Sequence, residues 1–405
     1  MIASTSAARI LTPSDLIELR RDLHRHTELR FEERRTAALV RDRVAATGWQ
    51  VRTGIATTGV VATREASEPG PHVVLRADMD ALPVHDPKAV PYASVVPGVT
   101  HACGHDAHVA IMVGLAERLA REPFAAGRVS IVFQPGEERP FGEPSGAQAM
   151  LESGLFDGQA PSVVLALHCW PYLSAGTIGI DERIAMAGKD AFRIELTGHP
   201  THAASPSRGR DAILAASQVV TGLHQAFARA LDARDTAVLN VGTIRGGTSQ
   251  SVVAASAELT GTIRTVDPAV RARLRETVER VAAAGAAMAG VSHELTWSDA
   301  MPAIVNDPRL VRCAHEVGGD LLGAERTIRL PEPPMTADDF ALFAELAPAL
   351  YLKLGVRGDP DGPGGAALHD GAFDIDERAI GVGVAVMHEL TLRLLQRPLD
   401  AWAGG

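Results

Sequence analysis

The chain has 405 residues, 46% hydrophobic and 22% charged, a globular composition in a chain too long for one ordinary core. Thirty-nine Lys and Arg against 49 Asp and Glu leave a net charge of −10, and no apolar run approaches the roughly 20 residues of a membrane span, so neither nucleic acid nor a membrane is the expected partner. The three cysteines, Cys103, Cys169 and Cys313, are too few for a disulfide scaffold, and residues 1–14 lack the basic and apolar regions of a secretory signal; a cytoplasmic location is expected.

Thr12-Pro13-Ser14-Asp15 reads as a helix start, with Leu16, Leu19 and Leu23 following at helical spacing. A second helix is predicted over 32–47, stopped at Gly48. Short strand-type apolar runs then occur at 72–76, 129–133 and 163–167, with helix-like segments at 109–121 and 146–153 between them. This alternation predicts an α/β fold, a largely parallel sheet covered by helices. The polar residues gather where the runs stop. Asp78 and Asp80 follow the first run, Gln134-Pro135-Gly136-Glu137-Glu138 the second, and His168 the third. In open α/β sheets that rim is where sites form.

From about Ala191 the pattern changes to strand (192–196), helix (210–229), two strands (237–244 and 252–264), helix (268–287) and strand (291–297). That order is the order of a small α+β sandwich. Past Pro302 the chain returns to helices, a buried run at 349–354, and a last helix over 376–395. Two domains are predicted: a discontinuous catalytic one, residues 1–186 and 299–405, and an inserted one, residues 187–298.

The run His101-Ala102-Cys103-Gly104-His105-Asp106-Ala107-His108 places three imidazoles and a thiol in eight residues. Both groups are strong ligands for divalent transition metals, and the spacing is not that of a closed zinc finger. An open metal site, with room for water and substrate, points to hydrolysis. Adjacent Glu137 and Glu138 suit such a site, because one carboxylate can hold a cation while the other works on a water. His168 and His369 carry little weight alone, and Cys169 and Cys313 read as small buried hydrophobes. Arg264, at a strand end, has the planar fork that clamps a carboxylate.

These residues fall in an order that resembles a known family. Its marks are Arg21-Asp22-Leu23-His24-Arg25-His26, Arg76-Ala77-Asp78-Met79-Asp80-Ala81-Leu82-Pro83, the 101–108 cluster, and Gln134 to Glu138. Further marks are Leu167-His168-Cys169-Trp170-Pro171, His202-Ala203-Ala204-Ser205-Pro206, residues 261–265, Asp339-Phe340 and Leu368-His369. The chain is similar, nearly end to end, to the metal-dependent amidohydrolases of the aminoacylase, hippurate hydrolase and auxin-conjugate hydrolase group, within the zinc carboxypeptidase and deacetylase superfamily.

The resemblance implies a di-metal peptidase-like catalytic domain with a lid through which such proteins form homodimers or larger assemblies. It implies two divalent ions, manganese or zinc with cobalt and nickel as alternatives, bound by Cys103, His105, Glu138, His168 and His369, with Cys103 bridging the pair. Glu137 would be the general base acting on a metal-bridging water, and His202 would stabilise the oxyanion. Asp78 and Asp80 would support the ligands, Asp106 would cap a helix, and Arg264 and Ser251 would face the substrate. The implied reaction is hydrolysis of N-acyl amino acids to a carboxylic acid and a free amino acid. A dipeptidase or a deacetylase of an N-acetyl biosynthetic intermediate would use the same machinery, and an idle metal- or ligand-binding protein is the reading from another class. Two departures bear on specificity. Ser251 stands where many relatives carry asparagine, and Pro200-Thr201 replaces the usual Gly-Gly before His202.

Overall fold

The computed structural model describes residues 12–122, 124–140, 142–358 and 365–402. Residues 1–11, most of the stretch read for a secretory signal, lie outside them. The chain forms two compact units, one of Met1–Ala185, Val305–Glu332 and Leu342–Gly405, the other of Met186–Ile304 and Pro333–Ala341, each as far as it is described.

The first unit is built on an eight-stranded sheet. Its strands run in the order Gln50–Ile55, Gly59–Glu65, Ala126–Gln134, Glu68–Asp78, Val163–Ser174, Ala349–Arg357, Ile178–Asp181 and Thr327–Leu330. The four central strands are mutually parallel, and antiparallel pairings enter toward the edges. Every residue from Val163 to Pro171 is buried. Successive strand side chains point to opposite faces, so both faces are covered there, which is why these strands read as unbroken apolar runs.

The helix His105–Arg121 lies deep, with every residue from His105 to Glu117 buried. Close packing at its middle requires glycine: a Cβ on Gly114 would meet Leu16 Cδ1 at 2.7 Å and Val384 Cγ2 at 3.0 Å. Val384 belongs to the helix Arg378–Gln396. By length and composition alone this helix could cross a membrane. Its apolar composition has another cause here, since Ile380, Val386, Met387, Leu390 and Leu394 are buried in the core of the first unit.

The second unit is a four-stranded antiparallel sheet in the order Ser292–Met301, Gly188–Thr197, Ser256–Thr265, Ala237–Gly246. The helices Ala212–Ala230 and Pro268–Ala289, capped by Asp211 and Asp267, pack on it around Phe192, Val219, Leu259 and Val278. The strand expected over 252–264 starts only at Ser256, because Val253 N–H donates to Thr201 O at 2.9 Å and is committed to a loop. The unit boundaries also differ from 187–298. The strand Ser292–Met301 runs on to pair Met301 with Lys189. Residues 333–341 join this unit because Thr336 O accepts from Ala187 N–H at 2.9 Å and Met335 O from Arg264 Nη1 at 2.8 Å.

Candidate metal centre

Cys103 and His105 flank Gly104, which precedes the first turn of the buried helix with φ +88°. A side chain at this position would also collide, because a Cβ would lie 2.9 Å from Cys169 Cβ and 3.0 Å from its Sγ. Glycine therefore lets the thiol and the imidazole approach the strand that carries His168. That strand does not stop at His168 but continues to Ser174. Glu137 and Glu138 sit half-buried on the turn after Ala126–Gln134, and Asp78 ends the strand beside it. His369 is held at φ +67°, with its N–H donating to Ala102 O at 2.8 Å.

These segments bring the expected ligands of the first unit together. Cys103, His105 and His168 offer donor atoms within 4.8 Å of one another, and so do Cys103, Glu138 and His369. Cys103 belongs to both sets. A third set is His105, Glu137 and Glu138. His168 Nε2 lies 3.5 Å from Cys103 Sγ, and His369 Nε2 lies 2.8 Å from Glu138 Oε1.

The ring tautomers follow from the partners. His105 Nδ1 donates to Asp80 O at 2.9 Å and His168 Nδ1 to Cys169 O at 2.8 Å, and a carbonyl oxygen can only accept. Each ring thus keeps Nε2 for a ligand. His105 Nε2 is buried with no hydrogen-bond partner among the described residues. Burial lowers the pKa of His105, but Asp78, Asp80 and Glu138 outweigh it and raise it to about 10, so the pocket favours positive charge at that ring.

Beside the expected Asp78 and Asp80, the structure adds supports for these residues that the sequence did not show, Arg76 and His108. Gln134 Oε1 accepts from Arg76 Nε at 2.8 Å, Arg76 Nη1 pairs with Asp78 Oδ2 at 2.6 Å, and His108 Nδ1 meets Asp78 Oδ1 at 2.5 Å. His108 Nε2 then accepts from Cys169 N–H at 2.9 Å. This buried chain ties three strands to one helix. Burial pushes the Asp78 carboxyl up, but Arg76, His105 and His108 hold it well below the usual carboxylate range. Asp80 Oδ2 accepts from Glu138 N–H at 2.8 Å and so orients the glutamate turn. His108 stands one turn after His105, a spacing that puts both on one helix face and could have marked it.

Asp106 is not the N-cap residue, which corrects the expectation in part, although its Oδ1 accepts from Ala107 N–H of the first turn at 3.0 Å. The residue before the helix is Gly104, without a side-chain cap, and Asp106 is wholly buried. Its Oδ2 lies 2.7 Å from Arg20 Nε and 2.7 Å from His24 Nδ1. Arg20 also reaches Asp374 at 2.8 Å, so a buried ion network joins the first helix, the ligand-bearing helix and the last segment of the chain. Burial works against charge on Asp106, but Arg20 and His24 keep its carboxyl far below the usual range.

The remaining candidates lie in the second unit. His202 is exposed, and its Nδ1 accepts from Ala204 N–H at 3.0 Å. The two departures from the family pattern meet here: Ser251 O accepts from Ala203 N–H at 3.0 Å, while Thr201 O accepts from Val253 N–H. Arg264 is half-buried, burial lowers its pKa, and among the described residues it has no carboxylate partner, only Met335 O.

Residues 74–393 match the family described as Peptidase family M20/M25/M40. The chain belongs to this family. An N-acetylcysteine deacetylase of Bacillus subtilis (strain 168) is 34% identical to this M20 chain over 389 residues, 94% of this chain and 97% of its own length. Thermostable carboxypeptidase 2 of Saccharolobus solfataricus is 32% identical over 381 residues, covering 93% of this chain and 94% of that one. Among solved structures, the YxeP protein of Bacillus subtilis, a dinuclear metal-binding peptidase of the M20 family, aligns with a TM-score of 0.80 at 33% identity. That alignment covers 95% of this chain and 98% of YxeP. As an M20 member the chain is a hydrolase of the metal-dependent amidohydrolase kind, with the α/β sheet unit and inserted second unit that its solved relatives share.

Proposed function

We propose that this M20 hydrolase cleaves the amide bond of N-acylated amino acids, releasing a carboxylic acid and a free amino acid. The observation that carries this reading is the adjacent, half-buried Glu137 and Glu138 beside two donor sets that share Cys103. The donors suit two divalent cations: thiolate and imidazole favour zinc, and the carboxylate tolerates manganese. Cys103, His105 and His168 would hold one and Cys103, Glu138 and His369 the other, with Asp78 and Asp80 steadying the ligands. Bound there, the cations would polarise the amide carbonyl and acidify a water.

Glu137 belongs to neither Cys103 set and stands next to Glu138 in the set with His105, and we assign proton transfer to its carboxylate. It takes a proton from the attacking water as the C–O bond forms and returns it to the nitrogen as the C–N bond breaks. His202 donates to the developing oxyanion. Arg264, half-buried without a carboxylate partner among the described residues, suits the carboxylate of an N-acyl amino acid. Self-association through the second unit is part of this reading; its edge strand Ala237–Gly246 turns Val238 and Ile244 to solvent, which supports it.

The test is free-amine release from N-acetyl, N-benzoyl and indole-acyl amino acids, with dipeptides alongside. Metal-stripped protein would be reloaded with manganese or zinc and compared with Glu137→Gln. Release that requires metal and falls by about 100-fold or more in the variant is expected. Cleavage of dipeptides alone would move the substrate class, and silence across the panel in metal-loaded protein would refute the reading.

A further inference from the structure

The turn that carries Glu137 is gripped from both sides by buried carboxylates. Asp80 Oδ2 accepts from Glu138 N–H at 2.8 Å, and on the other flank Glu33 Oε1 accepts from Gly136 N–H at 2.9 Å. Glu33 Oε2 accepts from Thr58 Oγ1 at 2.5 Å, so both carboxylate oxygens have fixed partners. The Pro135–Gly136 and Glu137–Glu138 peptide units are thereby anchored to two different parts of the first unit.

The position of Glu33 in its own helix shows that this grip is not incidental. Glu33 is the residue that precedes the helix Arg34–Ala45, where a side chain ordinarily caps the free amides of the first turn. It makes no such bond. The capping is done by Glu28, which accepts from Arg35 N–H at 2.9 Å and from Thr36 N–H at 2.8 Å. Glu33 is fully buried and turns to the glutamate-bearing turn instead. That turn has little freedom of its own. Gly136 has φ +60°, a Cβ on it would lie 2.8 Å from the Phe31 ring, and its carbonyl accepts from Gly146 N–H at 2.8 Å.

We propose that Glu33 is a positioning residue for the general base: it holds Gly136 so that the Glu137 carboxylate is presented in one orientation, with Asp80 as the opposing anchor. This rests on the reading of Glu137 as the base. The contribution is one of reach, not of charge. Burial and the neighbouring Asp80 push the Glu33 carboxyl up to about 7. The Thr58 hydroxyl can donate to Oε2 or accept from it, so Oε1 remains an acceptor for Gly136 in either protonation state. Misplacing a catalytic group by about 1 Å can cost on the order of 100-fold in rate, which sets the scale of the effect.

The experiment compares Glu33→Ala, Glu33→Gln and Glu33→Asp with wild type and Glu137→Gln, all metal-loaded. It reads kcat, KM, bound metal per chain, and amide hydrogen exchange over residues 134–139. Glu33→Ala is expected to lose about 10- to 100-fold in kcat with KM and metal content kept, and to exchange faster across the turn. Glu33→Gln, which keeps the reach and loses the charge, should restore both kcat and protection. Should Glu33→Ala fail to fold, the order of the other two decides: Gln near wild type and the shorter Asp impaired supports the proposal, and the reverse order overturns it. Unchanged exchange in Glu33→Ala, or a kcat loss that tracks lost metal, also overturns it. If Glu137→Gln stays active, the reading of the base has failed, and exchange still reports whether Glu33 holds the turn.

Discussion

Replacing Gly104 by alanine tests whether the metal ligands depend on a backbone that only glycine can adopt. At φ +88° an L-residue pays roughly 1–2 kcal/mol for the left-handed backbone. The new Cβ would also stand 2.9 Å from Cys169 Cβ and 3.0 Å from Cys169 Sγ, inside any normal contact. Overpacking of this kind costs about 1–3 kcal/mol, so the substitution should destabilise the first unit by about 2–5 kcal/mol. The assay is urea unfolding of metal-free protein in a Trp297→Phe background, leaving Trp49, Trp170 and Trp402 of the first unit as fluorophores. Adding Cys169→Ala removes the sulfur contact but neither the Cβ contact nor the backbone strain, so recovery should be partial. A Gly104→Ala variant within about 0.5 kcal/mol of its parent would refute the reasoning, because that is the effect of an ordinary surface change. Complete recovery with Cys169→Ala would show that the backbone conformation costs nothing.

Two further outcomes follow from the buried charges. The folded pKa of Glu33, about 7, lies above its ordinary value of 4.5, so the folded state binds this proton more tightly than the unfolded chain. Its contribution is full below about pH 4.5 and is lost as pH rises through about 7; metal-free Glu33→Gln should therefore be the more stable protein at pH 8, by at most on the order of 3 kcal/mol. The gap should close toward pH 4.5, and a gap independent of pH between these values would refute the shift. Asp106→Asn leaves the wholly buried Arg20 short of the carboxylate 2.7 Å away. Breaking a buried pair in this way should cost about 3–5 kcal/mol in urea unfolding, and a loss below about 1 kcal/mol would show that Asp374 and Glu377 already satisfy the guanidinium.

What could be read in the sequence depended on how local its physical cause is. The runs at 72–76, 129–133 and 163–167 were legible because central strands covered on both faces are apolar at most positions. The strand Gln50–Ile55 is mostly exposed, and Ile178–Asp181 and Thr327–Leu330 have four residues each, too short for a period to stand out. The 101–108 cluster pointed to a metal by density alone, whereas His168 was marked by its place after an apolar run and His369 only by the family resemblance. The supporting contacts of Arg76, His108 and Glu33 were silent for a different reason. Each of these residues is polar, with a partner that lies far along the chain, Gln134 for Arg76, Cys169 for His108 and Gly136 for Glu33, and no local pattern carries that information. The return of residues 333–341 to the second unit rests on single hydrogen bonds to Ala187 and Arg264 and leaves no trace in periodicity.

The same long-range partners explain how one rim gathers so many acids and still leaves some of them for a cation. Asp106 is met by Arg20 and Asp78 by Arg76, both arginines buried, so these two carboxylates are neutralised within the protein scaffold. Asp80 has no arginine among its described partners; its contacts are His105 and the N–H of Glu138. Glu138 in turn faces His369. The arginines thus divide the acids into a set that builds the rim and a set whose charge is still to be balanced. The balance falls on His105, whose pKa is raised to about 10 against its burial by Asp78, whose charge Arg76 does not fully cancel, and by Asp80 and Glu138. On the proposed reading, a ring pressed toward positive charge, with Nδ1 already tied to a carbonyl, is one where a divalent cation would take the place of a proton. On the proposed reading of the centre, its affinity for metal would be set by where Arg20 and Arg76 do not reach, as much as by the ligands themselves.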